Sequence, residues 1–157
     1  SEELRAHKGV VLAAVSNNGR ALQYASERLR EDKSVVFASV RNDGGSLQYA
    51  SERLREDKSV VLAAVRNDGS ALMFADIDLR EDKEVVIAAA TEPRNGKFAL
   101  AYADDLTNDK EVVLAAVSAH SSALQYADFA LRRDRDVVLA AKSRKMEEER
   151  EEGAILD

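Results

Sequence analysis

The residues best equipped for chemistry in this 157-residue sequence are paired carboxylates. Glu31-Asp32, Glu56-Asp57 and Glu81-Asp82 recur at 25-residue intervals. One such pair suits general acid–base work or a hard cation. A catalytic pair is needed once, whereas these come in every unit, so each is expected to cap a helix start. The triplets Asn42-Asp43-Gly44 and Asn67-Asp68-Gly69 lack the spaced ligands and closing glutamate of a calcium loop, and read as helix ends. His7 and His120 lie about four repeats apart, and at ~10 Å per packed helix they cannot share one site. The serines have no local base. Gly96-Lys97 lacks the upstream glycine of a phosphate loop, and Phe98 stands where Ser or Thr belongs. With no cysteine, disulfides, thiolate metal sites and cysteine nucleophiles are excluded. The expectation is a protein that is not an enzyme, with no cofactor and no metal.

The remaining charge points the same way. A net charge of -6 argues against a nucleic-acid partner, because affinity for phosphate backbones rests on clustered Lys and Arg. Lys8, Lys33, Lys58, Lys83, Lys110 and Arg135 nevertheless form a basic ladder. Each stands just inside a predicted helix start, where a cation opposes the helix dipole. Two readings follow: a stripe facing an acidic partner, or a ladder neutralised by neighbouring Asp and Glu, which is the one expected. Tyr24, Tyr49, Phe74, Tyr102 and Tyr126 form an aromatic column beside apolar positions, read as core edge rather than a base-stacking platform. No apolar run reaches the ~18 residues of a membrane-spanning helix, so no direct membrane insertion is expected.

The elements that hold these residues are set by a repeat. Valine pairs fall at Val10-Val11, Val35-Val36, Val60-Val61, Val85-Val86, Val112-Val113 and Val137-Val138, in steps of 25, 25, 25, 27 and 25. Gly19–Asp43 and Gly44–Asp68 are identical at 21 of 25 positions. Each unit reads as two helices. The first has an Asp N-cap, an apolar run such as Val60 to Val65, and an Asn-Asp-Gly stop whose glycine supplies a left-handed residue. The second is amphipathic: Leu47, Ala50 and Leu54 share a stripe, opposite the ion pairs Glu52–Arg55 and Arg53–Glu56. The first helices are predicted over 33–42, 58–67, 83–91, 110–118 and 135–144, and the second over 20–30, 45–55, 70–80, 98–106 and 122–132. Val36, Val61, Val86, Val113, Val138, Leu47, Leu54, Leu72 and Leu79 are the expected core. The fold class is therefore all-α: an α-solenoid of about five to six 25-residue helix-turn-helix repeats, in which stacking supplies the stability short helices lack. The array is assigned to 1-144 and a charged cap or tail, a solvated helix or a frayed end, to 145-157. Leu4 to Lys8 aligns with Leu29 to Lys33, so the array is expected to continue upstream or to be a fragment.

The pattern breaks in one region. Gln23 and Gln48 hold one polar column of the second helix, and Glu27 and Glu52 the next. Those slots become Met73 and Ile77 in the third full copy, Ala101 replaces the glutamine in the fourth, and Phe129 replaces the glutamate in the fifth. The loop from Thr91 to Phe98 is three residues longer than its counterparts and carries Pro93, Arg94 and Lys97. Either the apolar residues fill space left by a shortened neighbour, or Met73, Ile77, Pro93, Arg94, Lys97, Ala101 and Phe129 mark a partner-binding patch.

The recurrent string Leu-x-Tyr-Ala … Leu-Arg-x-Asp-Lys-x-Val-Val-Leu-Ala-Ala-Val resembles a family of short helical repeats known only as a domain of unknown function. That family is associated with repeat-rich proteins of unicellular algae and with some intracellular bacteria. The resemblance runs from Leu4 to about Ala141 and departs at the Pro93 loop and after Lys142. It implies the repeat fold and no activity, cofactor or catalytic residue; an algal origin would suggest a plastid or other organellar complex. The expected function is a protein–protein interaction scaffold or structural subunit whose partners are other proteins. The alternative is a peptide- or ligand-recognition module of a longer protein, or an accessory subunit of an organellar complex.

Overall fold

The computed structural model describes residues 2–155, with only the backbone described at Asp104 and Ile155. Ser1 and the last two positions of the expected tail, 156–157, lie outside the described residues. The chain is an all-α repeat solenoid. Among the described residues there is no strand, and no helix is long and apolar enough to cross a membrane.

After the short α1 (Glu2–Ala6), the spine is a stack of helices with apolar cores: α2 (Lys8–Asn17), α4 (Lys33–Asn42), α6 (Lys58–Asn67), α8 (Lys83–Ala90), α9 (Lys110–Ala119) and α10 (Arg135–Ile155). Each packs on the next in chain order. Asp32, Asp57, Asp82 and Asp109 cap the starts of α4, α6, α8 and α9, each carboxylate accepting two first-turn amides. The limits agree with the sequence reading to within a residue or two, except at the end. There α10 does not stop near 144 but runs on as one solvated helix to Ile155. Its Arg144 pairs with Glu147 and Glu148 on the same face.

The valine pairs form the core of the spine. Val35, Val60, Val85, Val112 and Val137 are fully buried, whereas Val10 in α2 is 42% exposed. Val36, Val61, Val86 and Val113 are fully buried, whereas Val138 in α10 is half-buried and departs from the expected core.

The second helix of each unit differs from the sequence reading. It is not one amphipathic helix but a 3₁₀ segment, an extended break, and a single α-turn. The first three units carry 3₁₀ segments at Gly19–Tyr24, Gly44–Tyr49 and Gly69–Phe74, followed by α3 (Glu27–Arg30), α5 (Glu52–Arg55) and α7 (Ile77–Arg80). The fourth unit has two 3₁₀ segments, Gly96–Tyr102 and Asp104–Asn108, and the fifth has Ser121–Tyr126 and Leu131–Arg133. At the breaks, Ala50 and Ser51 are extended, and Ser51 N donates to Arg30 O of the preceding repeat at 3.1 Å. Ser26 N to Arg5 O and Asp76 N to Arg55 O repeat that bond. The chain gives up intrahelical bonds there and gains one tie to its neighbour at each of these three breaks. Leu47, Ala50 and Leu54 are still buried, but through the kinked path rather than a helical stripe. Leu79 is only half-buried. Among the described residues the expected pairs Glu52–Arg55 and Arg53–Glu56 are not formed, although α5 is itself unbroken; Arg53 Nη2 instead donates to Glu31 O of the preceding repeat at 3.1 Å.

The glycines that end the spine helices are also explained differently. None adopts the left-handed backbone; the residues before them, Asp43 and Asp68, are extended. A Cβ on Gly44 would lie 2.4 Å from Ala64 O, and one on Gly69 would lie 2.3 Å from Ala89 O. Glycine is needed because the turn presses against the backbone of the next repeat's helix.

Candidate functional site

The residues singled out for chemistry are drawn together at the junctions between repeats. Each ladder lysine reaches forward to the N-cap aspartate of the following helix. Lys8 Nζ lies 2.6 Å from Asp32, Lys33 2.6 Å from Asp57, Lys58 2.8 Å from Asp82, Lys83 2.6 Å from Asp109 and Lys110 3.0 Å from Asp134. One carboxylate oxygen caps its own helix and the other takes the neighbour's cation. The ladder is thus neutralised from inside the array, which resolves the cation at a helix start: its charge is cancelled by the cap aspartate of the following helix. The Lys8 ammonium, then Ser34 and the first-turn amide, hold Asp32 down to about 2. At Asp57, burial opposes ionisation but is outweighed by Lys33 and Ser59, and the carboxyl again falls to about 2. Carboxylates this strongly ionised and saturated with donors are poorly suited to proton transfer near neutrality.

A second junction device was missed in the sequence. Asn42 Oδ1 accepts Gly19 N at 2.7 Å while its Nδ2 donates to Ser16 O at 2.9 Å. Asn67 repeats this with Gly44 N and Arg41 O. One amide side chain thereby closes the end of the preceding spine helix and fixes the turn after it. The available signal was the Asn at a fixed distance from the valine pair in both copies.

At the next junction Glu92 takes the asparagine's slot. It is 5% exposed and accepts Gly69 N, Arg94 N and Asn95 N at 3.2, 3.1 and 2.8 Å. Burial opposes its ionisation but is outweighed by these amides, first that of Asn95, so the carboxyl lies below its ordinary value. The Arg94 guanidinium pairs with Glu92 and donates to Asn67 O. His120 Nε2 sits 2.7 Å from Glu92 O, tying the following repeat to the same turn. His7 caps α2 in the aspartate's place, with Nδ1 accepting Val10 N at 3.4 Å. At the last junction Arg144 Nε donates to Ala119 O, and Glu148 accepts the amide and hydroxyl of Ser121.

The residues proposed to meet a partner fall into two groups. Met73, Ile77 and Phe129 are 45%, 52% and 61% exposed, and Ala101 and Pro93 are exposed. Met73 and Ile77 are not neighbours on one helix as their spacing suggested, because the break at Ala75-Asp76 separates them. Ile77 instead borders a cleft of about 450 Å³ with Glu56, Asp76, Asp78 and Leu79. The Phe129 ring lies under Arg133 and Arg132, at 4.7 and 5.8 Å. Arg94 and Lys97 carry internal duties: Arg94 within the Glu92 turn, Lys97 over the Phe98 ring at 5.1 Å. The Phe98 ring in turn faces Tyr126 of the aromatic column in the following repeat, with centroids 6.4 Å apart. Tyr49, Phe74, Tyr102 and Tyr126 are half-buried against the core, while Tyr24 is 61% exposed. Among the described residues no cluster of His, Asp and Glu is arranged to hold a metal ion.

No curated protein and no solved structure matches the chain. One family model matches repeatedly, over residues 7–55, 57–107, 94–132 and 109–145. The chain belongs to the family described as Domain of unknown function (DUF4116).

Proposed function

We propose that this array is a non-catalytic protein–protein interaction scaffold, a structural piece of a larger assembly whose partners are other proteins. The observation that carries this reading is the division of labour among its side chains. The recurrent carboxylates, lysines and asparagines are spent on stacking one repeat against the next. The non-recurrent apolar residues Met73, Ile77 and Phe129 point into solvent, in slots where the regular repeats keep Gln or Glu. Exposed apolar side chains grouped on a few repeats of an otherwise polar face mark contact surface more often than chance exposure does.

The test is the double substitution Met73→Gln and Ile77→Glu, which restores the residues of the regular repeats. Isolated from its native source with its bound proteins cross-linked, the variant is expected to lose partner recovery by about tenfold or more. Its melting temperature should stay unchanged, because neither residue is buried. Undiminished partner recovery at an unchanged melting temperature would refute the reading of this surface.

A further inference from the structure

The spine helices present a second surface that none of the junction chemistry uses. The residue after each valine pair is large and apolar in every unit: Leu12, Phe37, Leu62, Ile87, Leu114 and Leu139. The first five are half-buried and Leu139 is 52% exposed. An alanine follows each one. Because consecutive spine helices pack side by side, these pairs form one apolar stripe across the array. Between α4 and α6 it opens as a cleft of about 370 Å³, lined by Phe37 and Ala63 with Arg41, Arg66 and Asn67.

The edges of this stripe are charged unevenly. Positions three before and four after the large apolar residue share its helix face. Around Leu12 both positions are uncharged, Gly9 and Ser16; on α4 and α6 the later position holds Arg41 and Arg66, both exposed, while the earlier one holds uncharged Ser34 and Ser59. In the second half the later position is uncharged Thr91 and Ser118, while the earlier one holds Glu84, Glu111 and Asp136. These acids share a lysine already claimed by an N-cap aspartate: Lys58 meets Asp82 and Glu84, Lys83 meets Asp109 and Glu111, and Lys110 meets Asp134 and Asp136. Two carboxylates per lysine leave the α8 and α9 edge negative, whereas on α10 exposed Arg135 and Lys142 offset Asp136; Arg41 and Arg66 leave the α4 and α6 edge positive.

We propose that this stripe docks an amphipathic α-helix of a partner protein, its acidic N-terminal end over Arg41 and Arg66 and its basic C-terminal end over Glu84 and Glu111. The occupant is helical because the stripe is built from helix flanks whose amides and carbonyls are already paired. An extended segment would find no backbone partners there, whereas a helix satisfies its own. The spacing agrees: residues seven apart on a helix are about 10.5 Å apart along its axis, against ~8–10 Å between packed spine helices. The orientation follows from complementary charge and matches the preference of any helix for acids at its start and bases at its end. This inference rests on the scaffold reading and names a different face for the contact than the Met73–Ile77 surface.

The test uses two fluorescein-labelled helical peptides of about 21 residues, with leucines seven apart and intervening three-to-four spacings. One carries glutamates in its first third and lysines in its last, and the other carries the same residues alternating along its length, so that neither end carries a net charge and turning it round gains nothing. Anisotropy titrations with the whole chain at low ionic strength should show the first peptide binding about tenfold or more tightly. The double variant Arg41→Glu, Arg66→Glu should abolish or invert that preference with an unchanged melting temperature. Met73→Gln, Ile77→Glu should leave it intact. Equal affinities, no binding by either peptide, or a preference that survives the arginine substitutions would overturn the proposal. Failure here, with partner recovery still sensitive to Met73 and Ile77, removes the helix-docking stripe alone and leaves the scaffold reading standing.

Discussion

Asn67 and Glu92 stand in the same slot of successive repeats, and each accepts the amide of the glycine that opens the preceding 3₁₀ segment, Gly44 at 2.7 Å and Gly69 at 3.2 Å. The asparagine does two tasks, because an amide both accepts and donates. A carboxylate can only accept. At the Glu92 junction the carboxylate cannot repeat the donation that Asn67 makes to Arg41 O, and a second side chain, Arg94, donates instead to the helix end one residue further on, at Asn67 O. Its amide and that of Asn95 also fill the remaining capacity of the carboxylate. The longer loop around Pro93 is thus the room needed to bring a second side chain and two extra amides to one buried acid. The last junction repeats the solution with Arg144 and Glu148. A neutral single-residue clasp and a charged two-residue clasp hold the same architecture, and they differ in what should break them.

The largest expected effects are common to both halves. Leu54→Ala empties a site that is 2% exposed and should cost about 2–5 kcal/mol in urea unfolding. The same change at half-buried Leu79 should cost visibly less, and equal costs would show that the irregular half is packed as tightly as the regular one. Gly44→Ala follows. Its new methyl would meet Ala64 O, and relieving that should cost about 1–3 kcal/mol, seen as a lowered denaturation midpoint. Were the glycine needed for its backbone conformation instead, Asn at the same position would rescue it; the close approach predicts that Asn is at least as harmful. Smaller again is Asn67→Ala. It leaves the part-buried Gly44 amide without its acceptor, at a cost of about 1–3 kcal/mol. The slowed exchange of that amide should be lost, while the Gly69 amide keeps its protection. The smallest is Lys33→Met. Its pair with Asp57 is short but half-open to solvent, so the change should stay under about 1 kcal/mol and shrink further in salt.

The spine was legible in the sequence because it rests on strong local signals: the valine pairs, the aspartate caps and the 25-residue period. The solenoid class followed from them, as did the burial of Val36, Val61, Leu47 and Leu54. The division of the second helix was not. Ala50-Ser51 has neither proline nor glycine, and Leu47, Ala50 and Leu54 fall at spacings an unbroken helix would also bury. A signal was present in the cap-type residues at one slot, Ser26, Ser51, Asp76 and Asp128, each just before the short turn or its equivalent. What makes the break favourable is a hydrogen bond to the preceding repeat, which no single unit encodes. The junction glycines were misread for the same reason: a close approach to another repeat leaves no mark in local sequence. Among the candidate partner residues, the exposure of Met73, Ile77 and Phe129 followed from the broken polar pattern. The internal duty of Arg94 required knowing that Glu92 is buried.

The acids of this array are read here as junction acceptors, and Glu92 offers the most direct test. Its carboxyl lies below its ordinary value in the folded chain. A depressed folded pKa means that the carboxylate's contribution is fully present above the unfolded value near 4.3. It is lost as pH falls through the lower folded value. The measurement is the difference in urea-unfolding free energy between the wild-type chain and Glu92→Gln, which keeps the shape and cannot titrate, followed from about pH 7 to about pH 2.5. A gap of about 1–3 kcal/mol favouring wild type near neutrality, closing as the acid range is entered, is the predicted result. A gap that is absent at neutral pH, or that stays constant down to the lowest pH, would contradict it.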